Sequence, residues 1–223
     1  MPITTCIFDA YGTLFDVNGA ARMAAQDTPA LAAVWPKLAA DWRAKQLQYT
    51  WLRAITGAHD DFWQVTQDGL DWALEASGLE DPALRHRLLA LYRELPAYGE
   101  VPTMLDAVKA AGLNTAILSN GSPDMLEAAA SSAGLTLDAL LSVETVGVFK
   151  PAAAVYDLVG DRFNCAKSDV LFVSSNGWDA ACATGYGFDT AWVNRAAEPV
   201  DRLPWTPRHM LSDLTTIPEL AIR

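Results

Sequence analysis

The sequence is poor in the side chains that build metal centres. It has three histidines and three cysteines among 223 residues, and Cys6, Cys165 and Cys182 lack the spacing of metal ligands. None of the histidines falls in a recognisable motif. We therefore expect buried or incidental thiols and a location in the reducing cytoplasm.

An excess of positive charge and a long apolar run are also missing. Lysine and arginine number 16 against 27 aspartates and glutamates, which gives a net charge of −11. This balance argues against nucleic acid or an anionic membrane surface as a partner, but not against a small anion bound by local charges. No apolar stretch approaches the roughly 20 residues of a membrane helix. No basic region precedes the first apolar stretch, so we expect no signal peptide.

Short apolar runs predict a parallel β-sheet. They cover residues 4–8, 114–118, 170–173 and 190–193. Such runs, separated by helical stretches, are typical of parallel strands that helices cover on both faces. Pro123, with Ser122 as the N-cap, predicts a helix after the second run, and Pro151 predicts another after Lys150. The fold class is therefore α/β, with a doubly wound, mostly parallel sheet.

The segment from residue 16 to residue 97 has almost no strand signal. Pro36 suits the start of a helix, and apolar side chains recur around it at helical spacing. They are Trp35, Leu38, Trp42, Tyr49 and Leu52. Further helices are predicted over residues 60–77 and 81–95. We predict that residues 16–97 form a helical-bundle cap, inserted after the first strand of a core made of residues 1–15 and 98–223.

Five of the eight tryptophans fall in this predicted cap. They are Trp35, Trp42, Trp51, Trp63 and Trp72. The cluster favours a helix-bundle core built on these side chains. A dimer surface or a pocket wall is the alternative for one or two of them.

Polar side chains follow the predicted strands, where a ligand is expected. Asp9 follows the first run, Ser119 follows the second, and residues 174–179 (Ser-Ser-Asn-Gly-Trp-Asp) follow the third. Lys150 stands just before a predicted helix. In an open parallel sheet, ligands bind beyond the carboxyl ends of the strands. Each residue alone has a structural explanation, but together they predict one crevice in which Asp9 is placed to act as a nucleophile.

These motifs resemble the haloacid dehalogenase superfamily and, at closer range, the bacterial L-2-haloacid dehalogenases. The resemblance spans nearly the whole chain and is carried by residues 8–16, 42–51, 118–123, 149–151 with Tyr156, and 172–179. The segment around Arg43 and the Ser-Ser-Asn-x-Trp-Asp segment are specific to the dehalogenases. The resemblance implies a Rossmann-like core with a cap, and typically a homodimer.

Two positions separate this sequence from the phosphatases of that superfamily. Those enzymes carry a second aspartate two residues after the nucleophile, which protonates the departing alkoxide. Tyr11 stands there, and a tyrosine with an ordinary pKa of about 10 is a far weaker acid. Ser175 replaces an aspartate that helps the phosphatases to hold Mg²⁺, which should weaken that site severely. A halide leaves without a proton, so we expect dehalogenation with no metal or other cofactor.

The predicted reaction is hydrolysis of a short (S)-2-haloacid anion. Asp9 attacks the α-carbon and expels the halide ion, and water then cleaves the resulting ester to give the (R)-2-hydroxy acid with inversion. Lys150 should keep Asp9 ionised by direct pairing. The backbone N–H groups of Ala10 and Tyr11 and the Ser119 hydroxyl should offset the repulsion between Asp9 and the substrate carboxylate.

Other roles are implied by the resemblance alone. Arg43 and Asn120 receive the halide, and Asp179 activates the hydrolytic water, which Ser174 and Asn176 orient. Thr13 and Tyr156 match positions that support the nucleophile and the substrate. The apolar wall of the pocket is expected to consist of Tyr11, Leu47, Phe62 and Trp178.

Several alternatives stay open on the sequence. A Mg²⁺-dependent small-molecule phosphatase of the same fold is the main one, and a ligand-binding descendant without catalysis is another. Leu47 and Phe62 have ordinary cap core as an equally good explanation. Ala44 stands where the family pattern carries glutamine, which bears on the substrate range and not on the reaction class.

Overall fold

The structure is a computed structural model that describes residues 2–222. Within them, one sheet contains six parallel strands in the order β3-β2-β1-β4-β5-β6. The strands are β1 (Thr5–Phe8), β2 (Asn114–Ser119), β3 (Ala139–Ser142), β4 (Val170–Ser174), β5 (Asp189–Val193) and β6 (His209–Leu211). The central strands β1 and β4 are buried along their whole length, as expected for a sheet covered on both faces. The predicted α/β fold is confirmed.

The four predicted strands are confirmed to within one residue at either end, while β3 and β6 were not predicted. Both lie at an edge of the sheet, and they are only four and three residues long. An edge strand has one neighbour and less apolar burial, so its sequence carries little strand pattern. Pairing with β2 and β5 defines these two strands.

Five helices lie within residues 16–97, which follow β1 in the chain. They are α1 (Gly19–Asp27), α2 (Pro29–Ala32), α3 (Trp35–Thr56), α4 (Phe62–Ser77) and α5 (Pro82–Arg93). Where the chain leaves and re-enters the core, Asp16 N donates to Pro96 O at 2.9 Å and Tyr98 N donates to Leu14 O at 3.0 Å. These bonds hold the two connections side by side. That residues 16–97 form a cap separate from the core remains a prediction.

The remaining helices accompany the sheet. They are α6 (Val101–Ala110), α7 (Pro123–Ser132), α8 (Ala153–Phe163), α9 (Gly177–Tyr186) and α10 (Ile217–Ala221), with short 3₁₀ helices at Val143–Thr145 and Lys167–Asp169. The helix predicted at Pro123 is confirmed, although Ser122 donates to Asp124 Oδ1 at 2.5 Å and makes no capping bond to the backbone. The helix predicted at Pro151 begins at Ala153, because Pro151 lies in the turn before it. None of the helices in residues 2–222 is long and apolar enough to cross a membrane.

The predicted tryptophan core is confirmed for Trp42, which is buried, and for Trp35 and Trp63, which are partly buried and pack against the hydrophobic core. Trp72 is exposed. Tryptophan spacing follows the helices, but a side chain this large need not lie on their inner face. Trp51 instead packs edge-on against Trp178, with ring centroids 5.4 Å apart, so the pocket-wall alternative fits this residue.

Helices α3 and α4 approach closely at Gly69. A Cβ built on Gly69 would lie 3.2 Å from Gln46 N and 3.3 Å from Trp42 O. Both are backbone atoms of α3, so a side chain at this position would push the helices apart. The close contact brings Thr66, on the inner face of α4, within hydrogen-bond distance of Gln46 on α3.

Asp61 caps α4, since its side chain accepts a hydrogen bond from Gln64 N at 2.9 Å. We expect Asp61→Ala to lower the free energy of unfolding by about 1 kcal/mol, because one helix-terminal N–H loses its acceptor. Asp61→Asn keeps an acceptor at the same place and should retain most of that free energy. Urea unfolding followed by circular dichroism measures both, and equal losses in the two variants would contradict the capping role.

Candidate active site

Three neighbouring strands deliver the polar residues of one crevice. Asp9 follows β1, Ser119 ends β2, and Ser174 ends β4. Strand β1 lies between β2 and β4, and the strand order reverses direction here. Ligands of doubly wound sheets bind at this switch point. The chain therefore brings together side chains that are more than 100 residues apart in sequence.

Asp9 is buried and bonded at both carboxylate oxygens. Oδ1 accepts from Lys150 Nζ at 3.2 Å. Oδ2 accepts from Asn176 Nδ2 at 2.8 Å and from Thr13 Oγ1 at 3.1 Å. Donors of this kind stabilise the ionised form and fix the orientation of the carboxylate. The carboxylate of Asp9 is therefore held in a defined orientation.

Lys150 lies between two carboxylates and is fully buried. Its Nζ donates to Asp179 Oδ2 at 2.8 Å as well as to Asp9. Burial by itself would lower the pKa of Lys150, but Asp179 and Asp9 outweigh it and raise that pKa above its usual 10.5. The ammonium group is thus charged throughout the neutral range. Its contribution to stability is complete below pH 10.5 and is lost as the pH rises through the higher folded-state pKa.

Asp179 belongs to the same buried chain of contacts. Its Oδ1 accepts from Tyr156 OH at 2.8 Å, while its Oδ2 pairs with Lys150. Burial raises the pKa of Asp179 above its usual 3.8; Lys150 opposes this rise and Asp9 adds to it. A carboxylate with a raised pKa is a stronger base. Tyr156 contacts Asp179 and does not line the cavity described below.

Arg43 reaches the crevice from helix α3 of the cap. Its Nη2 donates to Tyr11 O and to Asn176 Oδ1, both at 3.2 Å, and its Nη1 donates to Gln46 Oε1 at 2.8 Å. Within residues 2–222, no carboxylate lies at salt-bridge distance from this guanidinium. The positive charge of Arg43 is therefore available to an anion.

A small cavity lies between these groups. It is narrow, and the space in it that a water molecule can occupy is about 10 Å³. Its lining consists of Asp9, Tyr11, Arg43, Leu47, Phe62, Ser119, Asn120, Lys150, Asn176 and Trp178. All four residues predicted as the apolar wall are among them, including Leu47 and Phe62, for which ordinary cap core was an equal alternative. The cavity is thus lined by a carboxylate, an ammonium group and a guanidinium together with aromatic and aliphatic side chains.

The turn after β1 depends on Gly12. Gly12 has a φ of +91°, and a Cβ there would lie 2.9 Å from Ser175 Oγ. The turn brings Thr13 under Asp9, and Ser175 N donates to Thr13 Oγ1 at 2.7 Å. Thr13 therefore links the nucleophile to the loop after β4.

Other predicted donors also face this region. Asn120 Oδ1 accepts from Lys150 N at 3.0 Å, and within residues 2–222 its amide Nδ2 has no hydrogen-bond partner, so that group is left for the cavity. The Ser119 hydroxyl accepts from Gly121 N at 3.1 Å, and within residues 2–222 it donates no hydrogen bond of its own. In the described part of the chain, no hydrogen bond uses the backbone N–H of Ala10.

The loop after β4 is held by Ser174 and Asn176. Ser174 is buried, and its Oγ accepts from Asn176 N at 3.1 Å. Asn176 then donates to Asp9 and accepts from Arg43. This amide therefore connects the nucleophile of the core with the cation of the cap, a contact that the sequence pattern did not predict.

Sequence reasoning missed a polar cluster behind Arg43. Gln46, Thr66 and Tyr92 are buried and hydrogen-bonded to one another. Tyr92 also stacks on Tyr11, with ring centroids 5.5 Å apart and planes 19° apart. The signal was a glutamine three residues after Arg43 on an otherwise apolar helix face, which helical spacing alone would have placed beside it.

Tyr11 has no acidic character at neutral pH. Burial raises its pKa well above the usual 10, and the neighbouring Tyr92 adds to that effect, which Arg43 opposes. Its hydroxyl therefore stays protonated and is a poor general acid.

In residues 2–222, no group of three or more His, Cys, Asp or Glu side chains is arranged to hold a metal ion.

Known proteins are similar in sequence to this chain over almost its whole length. A family model of haloacid dehalogenase-like hydrolases matches residues 3–187. The (S)-2-haloacid dehalogenase 1 of Pseudomonas sp. (strain CBS-3) is 44% identical, and the match covers 100% of this chain and 98% of that protein. The (S)-2-haloacid dehalogenase of Pseudomonas sp. (strain YL) is 40% identical over 96% of this chain and 92% of its own.

Solved structures give the same result. A dehalogenase with an intermediate complex has a TM-score of 0.94 and 36% identity, and covers 99% of this chain and 98% of its own. The L-2-haloacid dehalogenase of Xanthobacter autotrophicus with covalently bound chloropropionic acid has a TM-score of 0.89 and 35% identity, with 98% of each chain covered. With this extent of identity, the chain belongs to the haloacid dehalogenase-like hydrolases and, among them, to the (S)-2-haloacid dehalogenases.

Proposed function

We propose that this protein hydrolyses short (S)-2-haloacids to (R)-2-hydroxy acids through an ester on Asp9. One observation carries the proposal. A buried carboxylate, fixed by Lys150 and Asn176, shares a narrow cavity with Arg43, a guanidinium that has only neutral partners in residues 2–222. A nucleophile and an anion receptor are what displacement of a halide requires.

In the first step, an Asp9 oxygen attacks the α-carbon on the face opposite the halogen. The new carbon–oxygen bond forms as the carbon–halogen bond breaks, and the electron pair of that bond leaves with the halide. Arg43 and Asn120 receive the halide with their N–H groups. The covalent chloropropionate in the structure of the Xanthobacter relative supports an intermediate of this kind.

In the second step, water attacks the ester carbonyl of Asp9. Asp179 takes the water proton, and Lys150 stabilises the charge that develops on the carbonyl oxygen. The bond between the carbonyl carbon and the ester oxygen then breaks, and Asp179 returns its proton to that oxygen, which becomes the hydroxyl group of the product. The Asp9 carboxyl group releases the second water proton to solvent, which regenerates the carboxylate. Asp179 is suited to the role because burial raises its pKa. The configuration at the α-carbon inverts once, since this step does not touch it.

The size of the cavity favours short acids. Leu47, Phe62 and Trp178 are among its lining residues and suit a short alkyl substituent on the α-carbon. The backbone N–H of Ala10 and the Ser119 hydroxyl are the proposed donors to the substrate carboxylate. Assembly as a homodimer and a cytoplasmic location are further parts of this proposal and stay predictions.

Transfer of heavy oxygen in a single turnover tests the covalent step. With enzyme in excess over 2-chloropropionate in heavy-oxygen water, the label should enter the Asp9 carboxylate, because water attacks the ester carbonyl. The first molecule of lactate should then carry unlabelled oxygen from the protein. Mass spectrometry of the lactate and of the peptide containing Asp9 measures both.

Two controls accompany the labelling experiment. Enzyme incubated without substrate should stay unlabelled, and Asp9→Ala should release no halide. Label in the first product with none in the peptide would mean that water attacks the α-carbon directly, and the ester would have to be abandoned.

Tyr11→Phe distinguishes dehalogenation from phosphatase chemistry. General acid catalysis typically contributes 10²- to 10⁴-fold, so loss of an acid at this position would be severe. Because the raised pKa of Tyr11 keeps its hydroxyl protonated, we expect less than about a tenfold fall in kcat for 2-chloropropionate. The pH profile between pH 6 and 9 should also be unchanged.

Halide release should survive EDTA in both the wild type and Tyr11→Phe. The matched assay follows phosphate release from small phosphomonoesters with added Mg²⁺. Fast, EDTA-sensitive phosphate release that Tyr11→Phe abolishes would refute the proposed reaction.

A further inference from the structure

Gln46 is the buried polar residue whose position the proposed reaction does not explain. It lies on α3 three residues after Arg43, with its side chain fully buried in the cap. Its Oε1 accepts from Arg43 Nη1 at 2.8 Å, the shortest of the three hydrogen bonds made by that guanidinium. A side chain of the cap interior thus contacts the proposed halide receptor directly.

The orientation of the Gln46 amide is fixed from behind by Thr66. The Thr66 hydroxyl donates its single proton to Phe62 O at 2.7 Å. It can therefore only accept from Gln46, whose Nε2 lies 2.8 Å away. With its nitrogen held by Thr66, the amide directs its oxygen to Arg43. Tyr92 OH lies against the same amide, at 3.1 Å from Nε2 and 3.3 Å from Oε1.

The choice of glutamine matters because its oxygen carries no net charge. A glutamate here would hold the guanidinium equally well, but it would neutralise the positive charge that an anion needs. An apolar side chain would leave the charge intact and remove the restraint. Gln46 holds Arg43 in place without competing for its charge.

We propose that Gln46 is a positioning residue that holds Arg43 where the departing halide is received. This inference rests on the proposed function and deepens it. Displacement of chloride needs more stabilisation of the leaving group than displacement of bromide, so misplacement of Arg43 should slow chloride release more. The ratio of the two rates is then a measure of how well Arg43 stabilises the departing halide, and it should rise when Arg43 is misplaced, as in Gln46→Met, or when its charge is neutralised, as in Gln46→Glu.

The test compares Gln46→Met and Gln46→Glu with the wild type. The readouts are kcat/KM for 2-chloro- and 2-bromopropionate and inhibition by chloride ion. We expect the bromide-to-chloride ratio of kcat/KM to rise by about tenfold, and chloride inhibition to weaken by a similar factor, in both variants. A purely structural role for Gln46 would lower both rates equally and leave that ratio unchanged.

Thr50→Val is the matched control. Thr50 is a buried polar residue of the same helix, and its hydroxyl donates to Leu47 O at 2.7 Å without contacting Arg43. This variant should lose stability while keeping the wild-type ratio of rates. Circular dichroism gives the temperature range in which each variant is folded, and all rates are compared within it.

If neither Gln46 variant folds, the inference is tested with Tyr92→Phe instead. It removes only the hydroxyl that lies against the Gln46 amide, and it should raise the same ratio by a smaller factor. An unchanged ratio in the variants that fold would overturn the inference while wild-type dehalogenation stands. No halide release from the wild type would instead mean that the proposed function has failed.

Discussion

The site depends on one buried ammonium group between two buried carboxylates. Lys150 contacts Asp9 at 3.2 Å and Asp179 at 2.8 Å, and its side chain is shielded from water. Two carboxylates so placed would repel each other, and one of them would take up a proton. With Lys150 and Arg43 as the two cations, the four charges of the site sum to zero before substrate enters. The side chains of Tyr11 and Ser175 add no charge to the site.

This charge balance accounts for the two substitutions that set the chain apart from a phosphatase. Aspartates at the positions of Tyr11 and Ser175 would add two negative charges to the crevice, which a divalent cation would have to offset. Without them, Lys150 and Arg43 are sufficient. The loss of the proton donor and the loss of the metal-binding carboxylate are therefore one electrostatic change, and it leaves a site suited to leaving groups that are stable as free anions.

The sequence predicted the residues whose position follows from strand geometry. Asp9, Ser119 and Ser174 end neighbouring parallel strands, and such ends meet at one edge of a sheet. Asp179 and Asn176 were found because they follow the same strand. Arg43 was placed by family resemblance alone, since helical spacing does not show which strand end a cap residue approaches. Gln46 was missed because burial of a polar side chain depends on partners from α4 and α5. The exposure of Trp72 was not predicted, because periodicity gives a helix but not the face that neighbouring helices cover.

The same ammonium group serves both halves of the proposed reaction. Before attack, Lys150 pairs with one oxygen of Asp9 at 3.2 Å. Once the ester has formed, Asp9 loses its charge, and a donor at 3.2 Å from a former carboxylate oxygen is placed to polarise the ester carbonyl. Asp179 keeps its contact with Lys150 in both states and loses the repulsion of Asp9 in the second. In the proposed reaction, the group that pairs with the nucleophile in the first step is therefore also the group that activates the ester for hydrolysis in the second.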